Sequence, residues 1–90
     1  MVKTDREEIY KAIDGERDYQ DEVWPRSEGL SITGEFVLLK KYMRDFETHY
    51  AEEGDDAEFD APSVCLHDLR KIAAIVVRAM ENNGFVHRYN

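Results

Sequence analysis

Carboxylates, three histidines and a single cysteine are the side chains of this 90-residue chain with the means to do chemistry. Cys65, His67 and Asp68 fall together near the start of a predicted helix, where the helix dipole favours a thiolate. Residues two apart on a helix diverge, however. A zinc ion would also need two further ligands, and His49 and His87 belong to unrelated segments. The trio is therefore read as surface helix residues. Asp56, Glu58 and Asp60 alternate like the opening ligands of a calcium loop, but the sixth position is Ala61 rather than glycine. The twelfth is His67 rather than a bidentate glutamate, so a solvated charge run is the expectation.

Glu16, Asp18, Asp21 and Glu22 interleave with Arg17, Tyr19 and Trp24. On a helix Asp18 neighbours both Asp21 and Glu22, a spacing that could hold a divalent ion. The plainer expectation is an exposed charged face with Tyr19 and Trp24 packed beneath it. Arg17 beside two aromatics also makes a candidate contact patch, because these residue types supply interface energy. No glycine-rich phosphate loop, nucleophile elbow or H-E-x-x-H motif occurs, which argues against ordinary kinases and hydrolases.

Three helices must position these groups. The first is expected over residues 4–22, with Thr4 as cap and Glu7 reaching back to it. Ile9 and Ile13 share a face, Gly15 favours a kink or restart, and Trp24-Pro25 ends the segment. The second, 32–53, carries Ile32, Phe36, Leu39, Met43, Phe46 and Tyr50 on one continuous stripe, capped by Ser31 or Thr33 and stopped at Gly54. Val37, Leu38 and Tyr42 widen that surface, so more than one neighbouring helix is expected to cover it. The third, 64–83, follows Pro62 and ends at Asn83-Gly84. Its apolar face runs through Leu66, Leu69, Ile72, Ala73, Val76, Val77 and Met80. The predicted architecture is all-α: one domain over residues 1–90, built as a long helical hairpin plus a shorter N-terminal helix. Two helices with wide apolar arcs predict assembly into a homo-oligomer. The tail Phe85–Asn90 is too short to form a sheet by itself, and packs back or pairs with another subunit.

Composition narrows the function classes. Twelve Lys and Arg against twenty Asp and Glu give a formal charge of −8 and a pI near 4.8. That balance argues against nucleic-acid binding, which needs a basic surface, and against anionic lipid. Residues 1–28 hold nine of the acids, and residues 52–60 hold six with no base, so the stretch 52–61 reads as an acidic loop. The longest apolar run, Ile72 to Val77, is six residues, too short for a membrane span. One cysteine excludes an internal disulfide, and the N-terminal residues lack the pattern of a secretory leader. A cytoplasmic location is expected, in the host cell if the chain is phage-encoded.

The run Glu16-Arg17-Asp18-Tyr19-Gln20-Asp21 with Trp24, then Gly34-Glu35, Leu69-Arg70-Lys71-Ile72-Ala73-Ala74 and Met80-Glu81-Asn82-Asn83-Gly84, resembles short phage and prophage proteins of unassigned function. The two long helices are similar, more distantly, to the MazG-like all-α nucleoside triphosphate pyrophosphohydrolases. That likeness implies an E-x-x-E helix paired with an E-x-x-D helix, whose four carboxylates hold magnesium against a triphosphate. Glu35 matches the first glutamate and Asp68 the next acid, while Leu38 and Lys71 stand at the other two positions.

Three functions follow. An enzyme would bind magnesium through Glu35 and Asp68, with Asp45 or Glu47 and with Asp18, Asp21 or Glu22 making up the set. A binding protein would meet a basic surface on a host or defence protein through Tyr19, Trp24 and the loop acids Asp55, Asp56 and Glu58. A nucleotide-binding protein without turnover would use Arg17, Arg70 and Lys71 on the phosphates. Binding without turnover is the favoured expectation, with the pyrophosphohydrolase as its alternative.

Overall fold

The computed structural model describes residues 4–23, 31–53 and 63–89. Three helices make up the fold: α1 (Arg6–Val23), α2 (Ile32–Glu53) and α3 (Ser63–Asn83). There is no strand among the described residues, and the architecture is all-α. α3 is the central helix. It packs against both α1 and α2, whose backbones do not approach each other.

Local chemistry sets the helix ends. Asp5, not Thr4, caps α1: its Oδ1 accepts from the Glu7 amide at 3.3 Å, and its carbonyl accepts from Ile9. Glu7 and Glu8 in the first turn suit the positive end of the helix. Gly15 neither kinks nor restarts α1, which runs through it without interruption. Ser31 caps α2, its Oγ accepting from Gly34 at 3.1 Å. α3 closes on Gly84, whose φ of +93° is the left-handed turn that glycine adopts without strain, and whose amide donates to the Met80 carbonyl at 2.8 Å. The expected stop at Gly54, the Trp24-Pro25 terminator and the acidic loop 52–61 from Gly54 onward lie outside the described residues. The tail from Phe85 to Tyr89 is exposed, with the Phe85 and His87 rings edge to face at 5.1 Å.

The faces that pack overlap the apolar stripes read from spacing only in part. On α2 the side turned to α3 carries Glu35, Leu38, Leu39, Tyr42, Phe46 and His49, while Ile32, Phe36, Met43 and Tyr50 stay largely exposed. Among the described residues only α3 packs on α2, and no described helix lies over the second apolar surface of α2; the helix with two neighbours is α3. On α3 the apolar side chains fully buried are Cys65, Ala74 and Ile75, whereas Leu66, Leu69, Val76 and Met80 face outward. α1 turns Ile13, Glu16, Arg17 and Gln20 toward α3, a stripe of helical spacing made mostly of polar groups. Tyr19, expected beneath a charged face, is 58 % exposed, and Arg17 is the side chain that goes in.

The reason lies in α3. Asp68 and Arg78 share its inward side with Ile75, and a charge can be buried only where a partner meets it. α1 and α2 therefore present their polar residues at those levels, and the apolar stripes rotate outward. No described helix is long and apolar enough to cross a membrane.

Candidate functional site

Four buried or half-buried polar clusters line the two seams of α3. In the α2–α3 seam, Glu35 and Arg78 are both nearly inaccessible, at 1 % and 4 % exposure, with Arg78 Nε 3.4 Å from Glu35 Oε1. Neither Glu35 oxygen has a hydrogen-bond partner among the described residues, so the pair is held by charge rather than by directed bonds. Arg78 makes further interactions of its own. Above this pair opens an apolar groove of about 430 Å3, walled by Ile32, Phe36 and Leu39 on α2 and by Ile75, Val76, Ala79 and Met80 on α3.

Toward the other end of the same seam, His49 Nδ1 lies 2.6 Å from Asp68 Oδ2. Asp68 is 2 % exposed and His49 about a third. The hydrogen bond to Asp68 raises the His49 pKa above its ordinary value against an opposing effect of desolvation, and the nearby charges of Asp68, Asp45 and Glu52 add to the rise. A histidine whose folded pKa is raised stabilises the fold fully below its unfolded value of about 6.5. That contribution is lost as pH rises through the higher folded value. The melting midpoint should therefore fall as pH is raised above about 6.5. A His49→Gln variant should lose this part of the slope; an identical profile in that variant would show that the pair does not govern it.

In the α1–α3 seam, Arg17 is the bridge. Its Nε donates to Glu81 Oε1 at 2.6 Å, Nη1 to Gln20 Oε1 at 3.2 Å and Nη2 to Asp21 Oδ1 at 2.9 Å. Burial pulls the guanidinium pKa down, but the bonds and charges of Glu81 and Asp21 outweigh it and leave it above the usual arginine value. The fourth cluster opens to solvent. Glu16, Tyr19, Gln20 and Val23 of α1, His67, Arg70 and Lys71 of α3, and Tyr42 of α2 line a cleft of about 520 Å3. Arg70 Nε donates to Glu16 Oε1 at 2.8 Å, and its Nη2 meets the His67 ring. Lys71 is half-buried and has no ion-pair partner among the described residues.

The candidate residues thus separate. Asp68 and Arg78 are ten residues apart on α3, about 15 Å along its axis, so Glu35 and Asp68 sit at different levels. Each is committed to a partner of its own, Glu35 to Arg78 and Asp68 to His49. Asp18 and Glu22 are exposed on α1, and Asp21 serves Arg17. No group of three or more His, Cys, Asp or Glu side chains among the described residues is placed to hold a metal ion. Of the three basic candidates, Arg70 and Lys71 share the cleft, while Arg17 is occupied in the neighbouring bridge. Tyr19 also lines the cleft; Trp24, Asp55, Asp56 and Glu58 lie outside the described residues. Cys65 and Asp68 are buried rather than on the surface, and only His67 of that trio faces solvent.

Sequence reasoning missed Arg78, Glu81, Tyr42 and the pairing of His49 with Asp68. One sign was legible. Arg78 follows six uninterrupted apolar residues and falls three and four positions after Ile75 and Ala74, so it shares the inward face with them. No family model, curated protein or solved structure matches the chain.

Proposed function

We propose that the chain acts by binding, without turnover, and that its ligand is a small phosphate-bearing molecule of the nucleotide class held in the α1–α3 cleft. The observation that carries this reading is the gathering of Arg70, Lys71 and His67 with the Tyr19 and Tyr42 side chains around one cleft. In a chain of net charge −8, that site sets two permanent cations against a single carboxylate, Glu16. Lys71 is a point charge suited to phosphate, and Arg70 keeps donors to spare beyond its bond to Glu16. The tyrosine rings offer apolar surface on which a planar base can lie. Absence of turnover is supported by the separate pairing of Glu35 and Asp68, since magnesium asks for several oxygens converging on one point. Nucleotides are cytoplasmic metabolites, so this reading places the chain there.

Thermal unfolding against a nucleotide panel, with and without magnesium, tests the proposal. A nucleotide present at one hundred times its Kd should add about 2.7 kcal/mol of stability. That gain should not require magnesium and should shrink in Lys71→Ala. Stabilisation that depends on magnesium, with pyrophosphate released, would replace this reading by the pyrophosphohydrolase one. No shift with any nucleotide would end it and turn the search to host proteins with basic surfaces, whose complexes should weaken steeply with salt.

A further inference from the structure

The apolar groove over Glu35 is one end of a longer surface. At that end Ile32 and Phe36 of α2 stand beside Val76 and Met80 of α3, which fixes those two stripes on the same side of the helix pair. Residues seven apart on a helix return to the same face, so the helical repeat carries each stripe onward. On α2 it continues to Met43 and Tyr50 in steps of seven, the intervening Leu39 and Phe46 being turned toward α3. On α3 it runs back from Met80 and Val76 through Ala73 to Leu69 and Leu66 in steps of four and three. The α3 stripe thus has the 4-3 spacing of helices that interlock side chain into hole, and the α2 stripe flanks it with one large side chain every two turns.

We infer that a second copy of this chain covers this surface, joining two α2–α3 pairs face to face into a four-helix bundle. Three features of the face select that occupant. First, area: eight large apolar side chains, each roughly half exposed, offer on the order of 800 Å2, the share that each partner gives to a standard stable interface. Second, charge: none of the eight apolar side chains is ionisable at neutral pH although the chain carries −8, and the ammonium that lies against them, Lys40 at 5.9 Å from the Phe36 ring centroid, is opposite in sign to that excess. Third, need: among the described residues only Cys65, Ala74 and Ile75 are fully buried apolar side chains, and a second copy supplies the missing core wherever the chain itself is present. The surface shares no residue with the nucleotide cleft, so this inference stands apart from the proposed function.

Light scattering and sedimentation of the full chain across a dilution series test it. The expected mass is twice 10.5 kDa at high concentration. Phe36→Glu and Met80→Glu place a charge on the face at positions already exposed in the single chain, so each should keep its helix content. Each should weaken association on the order of 100-fold, as burying an unpaired charge demands. Val86→Glu, in the exposed tail, should leave association unchanged. A mass of 10.5 kDa at every concentration, or unchanged association in both face variants, would overturn the inference and leave the face to a different protein. If a face variant loses its helices, the wild type still decides: a dimer melts at a midpoint that rises with protein concentration, and a constant midpoint rejects it.

Discussion

Glu35→Ala is expected to cost about 3–5 kcal/mol, a large share of the stability that a domain of this size has. The carboxylate is buried beside Arg78, and its loss takes the Glu35 counter-charge from a guanidinium that water cannot reach. The cost is that of a buried cation left with less charge compensation. Glu35→Gln should be nearly as damaging, because it keeps the volume and removes the charge. The pair itself should be worth much less than either single loss suggests. Replacing both residues, Glu35→Leu with Arg78→Met, should cost clearly less than the sum of the single replacements, since neither charge then remains buried. Urea unfolding of the four proteins, held at one concentration, measures this. Additive losses would show that Glu35 and Arg78 are not energetically coupled across the α2–α3 seam.

The second large effect concerns α1. Arg17→Ala should cost about 2–3 kcal/mol, because a buried guanidinium with three side-chain acceptors is replaced by a gap between α1 and α3. The bonds are not equal. Asp21 is more than half exposed and lies one turn away on the same helix, so its pair is worth a few tenths of a kcal/mol. The bond to Glu81 is the one that joins two helices. Arg17→Lys should recover little, since one ammonium cannot serve acceptors set in three directions. The loss should be local. Amide exchange in α1 should accelerate while the α2–α3 pair stays protected, because among the described residues the backbone of α1 packs only on α3. Unchanged protection in α1 would mean that other contacts hold the helix.

Helix number, type and approximate position were legible in the chain. Ser31, Gly34 and Glu35 open a helix by the ordinary chemistry of an N-cap, and Asn83-Gly84 closes one by the freedom of glycine. These signals are local, so the sequence carries them in full. Gly15 was misleading because one glycine costs a helix about 1 kcal/mol, which an 18-residue segment docked on α3 absorbs. Thr4 lost the cap to its neighbour Asp5 by a single position, a margin that spacing cannot resolve.

The packed faces and the site were less legible, for one physical reason. Apolar periodicity shows which surface of a helix avoids water, but not whether this chain or another copy of it shelters that surface. The stripe through Ile32, Phe36, Met43 and Tyr50 is real in its spacing, and the single chain leaves it half exposed. Conversely, Arg17, Glu35, Asp68 and Arg78 are charged or polar positions that go inward because partners far along the chain meet them. What the sequence determined by itself is an acidic, all-α chain with three helices at their approximate positions, since caps and helical periods depend on neighbours within a few residues. Only the tertiary structure decided that α3 is central, that Arg70 and Lys71 share a cleft while Glu35 and Asp68 do not share a site, and which apolar stripes stay uncovered. Those outcomes depend on matching charges across separate helices, and such matches exist only once the helices have packed.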